Sequence, residues 1–213
     1  WGLAQPIAGA IADRYGPGRV LAGGLLLLAL GSTITPFMTT SAGLIFSLGI
    51  LIAAGSGGGS FSVLIGSAAR HMPAEKRGMA AGIINAGGSF GQFVFAPITQ
   101  KLISALGWMD AMWSIALITL AALPITRALR GKPATAAEQA RSLAINPADN
   151  GMTAALRDAM KERSYLLLHA GFFTCGFHIA FLITHLPGEV QLCGQSAQVA
   201  SWSLAIIGLA NIL

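Results

Sequence analysis

Four polar side chains stand out inside largely apolar stretches: Asn85 and Gln92 within 79–100, and His178 and His185 within 164–187. A buried polar group is costly until it finds a partner, so each marks either a ligand contact or a bond to a neighbouring element. Asn85 and Gln92 lie seven apart, on nearly one face of a helix. Their amides could donate to a carboxylate, or could bond across to another helix; the sequence leaves both uses open. His178 and His185 share a face, with His169 roughly opposite. Imidazole titrates near neutral pH, which makes His178 a candidate proton acceptor, a hydrogen-bonded packing residue being the alternative. His185, next to Leu186-Pro187, reads as an outer-end or gate residue. The spacing brings no third ligand to these histidines, so no metal is expected. Phe173, Phe177 and Phe181 form an i, i+4 stripe suited to packing or lipid contact.

Charged chemistry is sparse. The eight acidic residues all fall in loops or at segment ends, and no nucleophile, acid/base pair or ligand cluster converges with them. An enzyme is therefore not expected, nor a cofactor. Cys175 lies mid-helix and Cys193 in a short loop, a poor geometry for a disulfide.

The elements that must hold these side chains follow from composition. Charged residues make up 10% of the 213 residues and apolar ones 54%, with a mean hydropathy of +0.68. Soluble domains carry about 25% charge. The 50 residues from 20 to 69 contain no charge at all, and about 20 apolar residues suffice to cross a bilayer as a helix. An all-α, polytopic membrane helix bundle is expected, seated in the lipid bilayer. The run Gly55-Ser56-Gly57-Gly58-Gly59-Ser60 sits within this uncharged stretch. Lacking polar flanks and the third glycine of a dinucleotide loop, it reads as a membrane helix that continues through its glycines. Gly55 and Gly59, at i and i+4, would form its close-packing face, as would Gly87 and Gly91 further on.

Breaking the apolar runs at proline, glycine and charge gives seven segments: 1–12, 20–38, 42–69, 79–100, 111–126, 164–187 and 196–213. If the loop 13–19 is cytoplasmic, alternate loops place 12 of the 13 basic residues on that side and only Lys101 opposite. That bias satisfies the positive-inside rule, so the net charge of +5 reflects topology and no nucleic-acid partner is needed. The polar stretch 131–163 would then be a cytoplasmic connector between a bundle over 1–130 and the start of another over 164–213. With no initiating Met and apolar residues at both ends, the sequence reads as the interior of a longer protein. A monomer is expected.

One loop carries a recognisable pattern. Gly9-Ala-Ile-Ala-Asp13-Arg14-Tyr-Gly16-Pro17-Gly18-Arg19-Val-Leu21 resembles the signature between the second and third helices of the major facilitator superfamily. Gly9, Asp13, Arg14, Gly16 and Leu21 match in register, whereas Pro17 and Gly18 occupy the paired basic positions, with Arg19 one place later. This Gly-Pro-Gly-Arg form is similar to the monocarboxylate and oxalate/formate porter branch. The stretch from Ser67 to Pro97 resembles the fourth-to-fifth helix connection of that branch, and Cys175 to Val190 resembles the outer end of the seventh helix in bacterial members. The antiporter signature of helix five is missing, since Gln92 stands where proline should follow Gly91. The arginine usual in helix four is missing as well.

The resemblance implies helices two to eight of twelve, in a bacterial cytoplasmic (inner) membrane. It implies a secondary transporter of a small organic anion by alternating access, with proton coupling left open. Asp13 would act as a conformational latch with Arg70 at the end of helix four, within a set formed by Gly9, Asp13, Arg14, Gly16, Arg19 and Arg70. Asn85 is the leading substrate contact, followed by Gln92, His178 and His185. A transporter of another solute and a non-transporting sensor of the same fold are the alternatives. No cation falls inside the seven segments, so carboxylate specificity rests on the resemblance.

Overall fold

A computed structural model describes residues 2, 4–128 and 157–212. The expected connector falls mostly outside them, with Arg130, Lys132 and Arg141. Apolar runs bounded by glycine, proline and charge become helices. In chain order these are α1 (Ala4–Tyr15), α2 (Pro17–Ile34), α3 (Ser41–Leu44), α4 (Ala53–Gly58), α5 (Phe61–His71), α6 (Arg77–Leu106), α7 (Trp108–Ala121), α8 (Leu123–Ala128), α9 (Arg163–Leu192) and α10 (Ala197–Ala210). A π-helical stretch, Ile45–Ile52, joins α3 to α4 into one rod over 41–58. The Thr40 hydroxyl caps the start of that rod, accepting from the Gly43 amide at 3.1 Å. No strand occurs among the described residues.

Among the described residues four stretches are long and apolar enough to cross a membrane: Pro17–Phe37, Ser41–Ala68, Trp108–Arg127 and Arg163–Leu192. The other three expected segments are helical but differ in quality. α6 has the length, at 30 residues, yet its glycines and Asn85, Gln92, Gln100 and Lys101 dilute its apolar character. α1 and α10, at 12 and 14 residues, are shorter than a span.

Three connections depart from expectation. The predicted loop 13–19 shrinks to one residue: Asp13 and Arg14 belong to α1, Arg19 belongs to α2, and only Gly16 lies between. Gly16 has φ +92°, a conformation that L side chains rarely adopt, and its amide donates to the Ala12 carbonyl at 2.9 Å. Pro17, whose missing N–H costs nothing at a first helical position, restarts the helix at once. The second departure repeats the device. Lys101 lies within α6 and not in a loop, and Gly107 (φ +84°) alone separates α6 from α7.

The third is at the glycine run, where the helix does not continue. α4 ends at Gly58, Ser60 is extended (φ −68°, ψ 156°), and α5 starts at Phe61. Each interior glycine costs a helix about 1 kcal/mol relative to alanine, and this run supplies several in a row. The freed backbone groups are re-satisfied locally, Gly59 N–H to Gly55 O and Ser60 N–H to Gly57 O, both at 3.2 Å. Non-helical backbone at membrane depth is tolerated when buried in protein, and Ser60 is only 3% exposed.

The chain divides into two compact units, Trp1–Pro133 with Trp202–Leu213, and Ala134–Ser201. In the first, α2 is central and packs against α1, the π-helical stretch, α4, α7 and α8. Small residues make that possible. A Cβ added at Gly24 would lie 2.7 Å from the Gly55 carbonyl oxygen, and one at Gly58 would lie 3.1 Å from the Gly24 Cα. Gly31 meets Ile52, and Gly57 meets Ala4 of α1. By contrast, nothing lies within 4 Å of a Cβ at Gly59, Gly87 or Gly91. The expected Gly55/Gly59 face is thus replaced by Gly55 and Gly58 against Gly24, with Gly57 against Ala4, because the break at Gly59 takes that residue off the packed face. Buried hydrophobics are mostly alanines, among them Ala8, Ala29, Ala111 and Ala205, whereas Leu117, Phe37 and Ile45 point outward. Small side chains inside and large ones outside suit association in lipid, where close backbone approach replaces a water-driven core.

Candidate functional site

The signature residues cluster around Gly16. Arg14 in the last turn of α1 complements the negative helix end, and its guanidinium sits 5.5 Å from the centroid of the Tyr15 ring. Arg19, in the first turn of α2, reaches back to donate to the Tyr15 carbonyl at 3.4 Å, occupying one of the acceptors that a helix end leaves open. Asp13 is exposed on the turn before. Gly9 lies one helical turn earlier, with nothing within 4 Å of a Cβ built on it. Arg70 belongs to α5, and its side chain lies outside the described residues.

Backbone register relates Asp13 to Arg70. α1 packs on α5. Ser62 of α5 donates to the Gln5 side-chain carbonyl of α1 at 3.2 Å, and Val63 clusters with Ala8 and Ala12. The two helices therefore run in the same direction, since both contacts advance together. Asp13 is eight residues beyond Gln5, and Arg70 eight beyond Ser62. Each stands about 12 Å further along its own helix than that contact.

The expected substrate contacts separate. Gln92 is half-buried, and its Nε2 donates to the Leu204 carbonyl of α10 at 3.2 Å. Gly208 packs beside it, where a Cβ would lie 2.9 Å from Ser89 O and Phe93 N. Of the two uses open to this amide, the cross-helix bond is the one made. Asn85, two turns earlier on α6, is exposed. His178 and His185 lie on α9, which has no buried residue. There His185 belongs to an aromatic row. Tyr165 and His169 have ring centroids 4.4 Å apart; Phe173, Phe177 and Phe181 follow at 6.2 and 6.4 Å; and Phe181 lies 4.7 Å from His185. No group of three metal-ligating side chains occurs among the described residues.

A groove of about 500 Å³ lies between α1, α2 and α4, with Tyr15 and Arg19 at one end. None of Asn85, Gln92, His178 or His185 lines it. The sequence reading missed this feature. Its signal was present in Ile7, Ile11 and Tyr15, one turn apart and exposed by 56%, 43% and 48%.

Comparison with known proteins bears on these features. The profile of the Major Facilitator Superfamily matches residues 2–213. Monocarboxylate transporter 13 of Bos taurus is 26% identical over 212 residues, covering 98% of this chain and 46% of the relative. Monocarboxylate transporter 11 of Mus musculus is 30% identical over 128 residues, 60% of this chain and 28% of the relative. A probable sulfoacetate transporter of Cupriavidus necator is 29% identical over 118 residues, 54% of this chain and 26% of the relative. The chain spans about half the length of the first of these. No solved structure matches it.

Proposed function

The chain belongs to the major facilitator superfamily, and from that premise we propose that it moves a small, monocarboxylate-like organic anion across a membrane by alternating access. It is a multi-pass membrane protein of a transporter family, not an enzyme. The observation that carries the choice of solute is the similarity, over 98% of the chain, to a protein named as a monocarboxylate transporter. A bacterial cytoplasmic membrane, with 131–163 on the cytoplasmic side, follows from the Cys175–Val190 resemblance and from the distribution of basic residues.

In this reading, Asp13 and Arg70 form a charge-assisted latch that closes one side of the transporter and opens as the halves rock. The equal register of α1 and α5 supports it. Arg14 and Arg19 hold the turn, and Gly16 lets both helices reach the same membrane level. Asn85 is the substrate contact that stays uncommitted to packing, while Gln92 ties α6 to α10. His178 is the proton acceptor of a coupled cycle.

Uptake of labelled lactate into vesicles carrying the protein, with and without an inward proton gradient, tests the proposal. Uptake above protein-free vesicles, suppressed by unlabelled short carboxylates and not by sugars, is expected. Uptake no greater than in protein-free vesicles would sink it, and indifference to the gradient would remove His178 from the cycle.

A further inference from the structure

The groove of about 500 Å³ is open along one side and has two chemically different ends. Ile7, Ile11, Leu27 and Ala54 make its walls, and Gly23 and Gly58 widen it. From Ala4 to Tyr15 it follows α1 for about 16 Å, eleven helical steps, close to the roughly 15 Å depth of one bilayer leaflet.

At the Tyr15 end the surroundings turn cationic. Arg19 lines the groove and spends one donor on the Tyr15 carbonyl, of the five a guanidinium offers. Arg14 flanks the same tyrosine. Residues 13–19 hold these two arginines and a single acid, Asp13. Among the described residues no acidic side chain lines the groove.

We propose that this groove holds one acyl chain of an anionic glycerophospholipid, with the phosphate on Arg19. A groove that is apolar along its length and cationic at one end matches the two parts of such a lipid. The charge selects an anionic headgroup over a zwitterionic one. A small carboxylate substrate would leave the apolar walls unfilled. The site is independent of which solute the protein carries.

Native mass spectrometry of the 213-residue chain released from mixed micelles tests this, with phosphatidylglycerol and phosphatidylcholine of matched chains as probes. One phosphatidylglycerol should be retained in preference to phosphatidylcholine. Arg19→Gln should cut that preference about fivefold, the effect of one arginine near an anionic surface, and Arg19→Lys should keep most of it. Gly23→Leu should displace one bound lipid of either kind, since a Cβ there meets nothing within 4 Å and the side chain can fill the groove without a clash. Far-UV circular dichroism checks that each variant stays helical. Equal retention of the two lipids overturns the proposal. So does unchanged retention in Gly23→Leu, or exclusion of both lipids by a segment of protein lying in the groove.

Discussion

A methyl group at Gly55 would lie 2.7 Å from both the Gly24 carbonyl oxygen and the Leu28 amide nitrogen, and neither backbone atom can turn aside. Gly55→Ala should therefore force α2 and α4 apart, at about 2 kcal/mol, read as a lower thermal midpoint by circular dichroism in detergent. Gly59→Ala and Gly91→Ala, with open space around the new methyl, should leave the midpoint unchanged or raise it. Gln92→Leu should cost about 1 kcal/mol through loss of its bond to the Leu204 carbonyl. A drop in uptake at unchanged stability would instead give Gln92 a substrate role. Gly55 was legible because small residues four apart invite a neighbour. Its partner Gly24 was not, since one sequence does not say which segments meet. The two uses open to Gln92 could be told apart only by what stands opposite it, and that is α10, more than a hundred residues later.

At the scale of elements, α1 and α2, like α6 and α7, are joined through one glycine with positive φ. Gly16→Ala should cost about 1–2 kcal/mol in backbone strain. It should also loosen the helix ends, seen as faster hydrogen exchange at Gly16, whose amide donates to the Ala12 carbonyl. The seven helical segments could be read from apolar runs, though Pro187, expected to end its segment, lies inside α9, which runs on to Leu192. The shape of the connections could not. Gly-Pro-Gly between charged residues reads as a loop, yet Pro17 is a first helical position that restarts the helix without delay. The glycine run misled in the opposite direction. Continuity was expected from the penalty on open backbone in lipid, but the freed amides of Gly59 and Ser60 find the carbonyls of Gly55 and Gly57, which removes that penalty locally.

For the whole molecule, the inversion of side-chain size and the uncharged stretch from 20 to 69 both express lipid as the solvent, and the family was legible from the signature around Asp13. The latch belongs to this scale because it would couple the motion of the halves to a pair on neighbouring helices. Asp13→Arg and Arg70→Asp should each reduce uptake at least tenfold, and the double exchange should recover much of it, as expected for two charges that act as a pair. Additive losses in the double variant would make both residues determinants of topology only. Arg70 was reachable from the sequence solely through family resemblance, since its place relative to Asp13 depends on α1 and α5 running in parallel.

The aromatic row on α9 carries a geometric consequence. Residues four apart on a helix are displaced by about 40° around its axis, so the five steps from Tyr165 to His185 accumulate about 200°. The row is a diagonal that crosses to the far side of the rod. A single flat neighbour can cover its middle but not both ends. Tyr165 and His185 therefore point to opposite sides of α9, and one flat partner could meet only one of them.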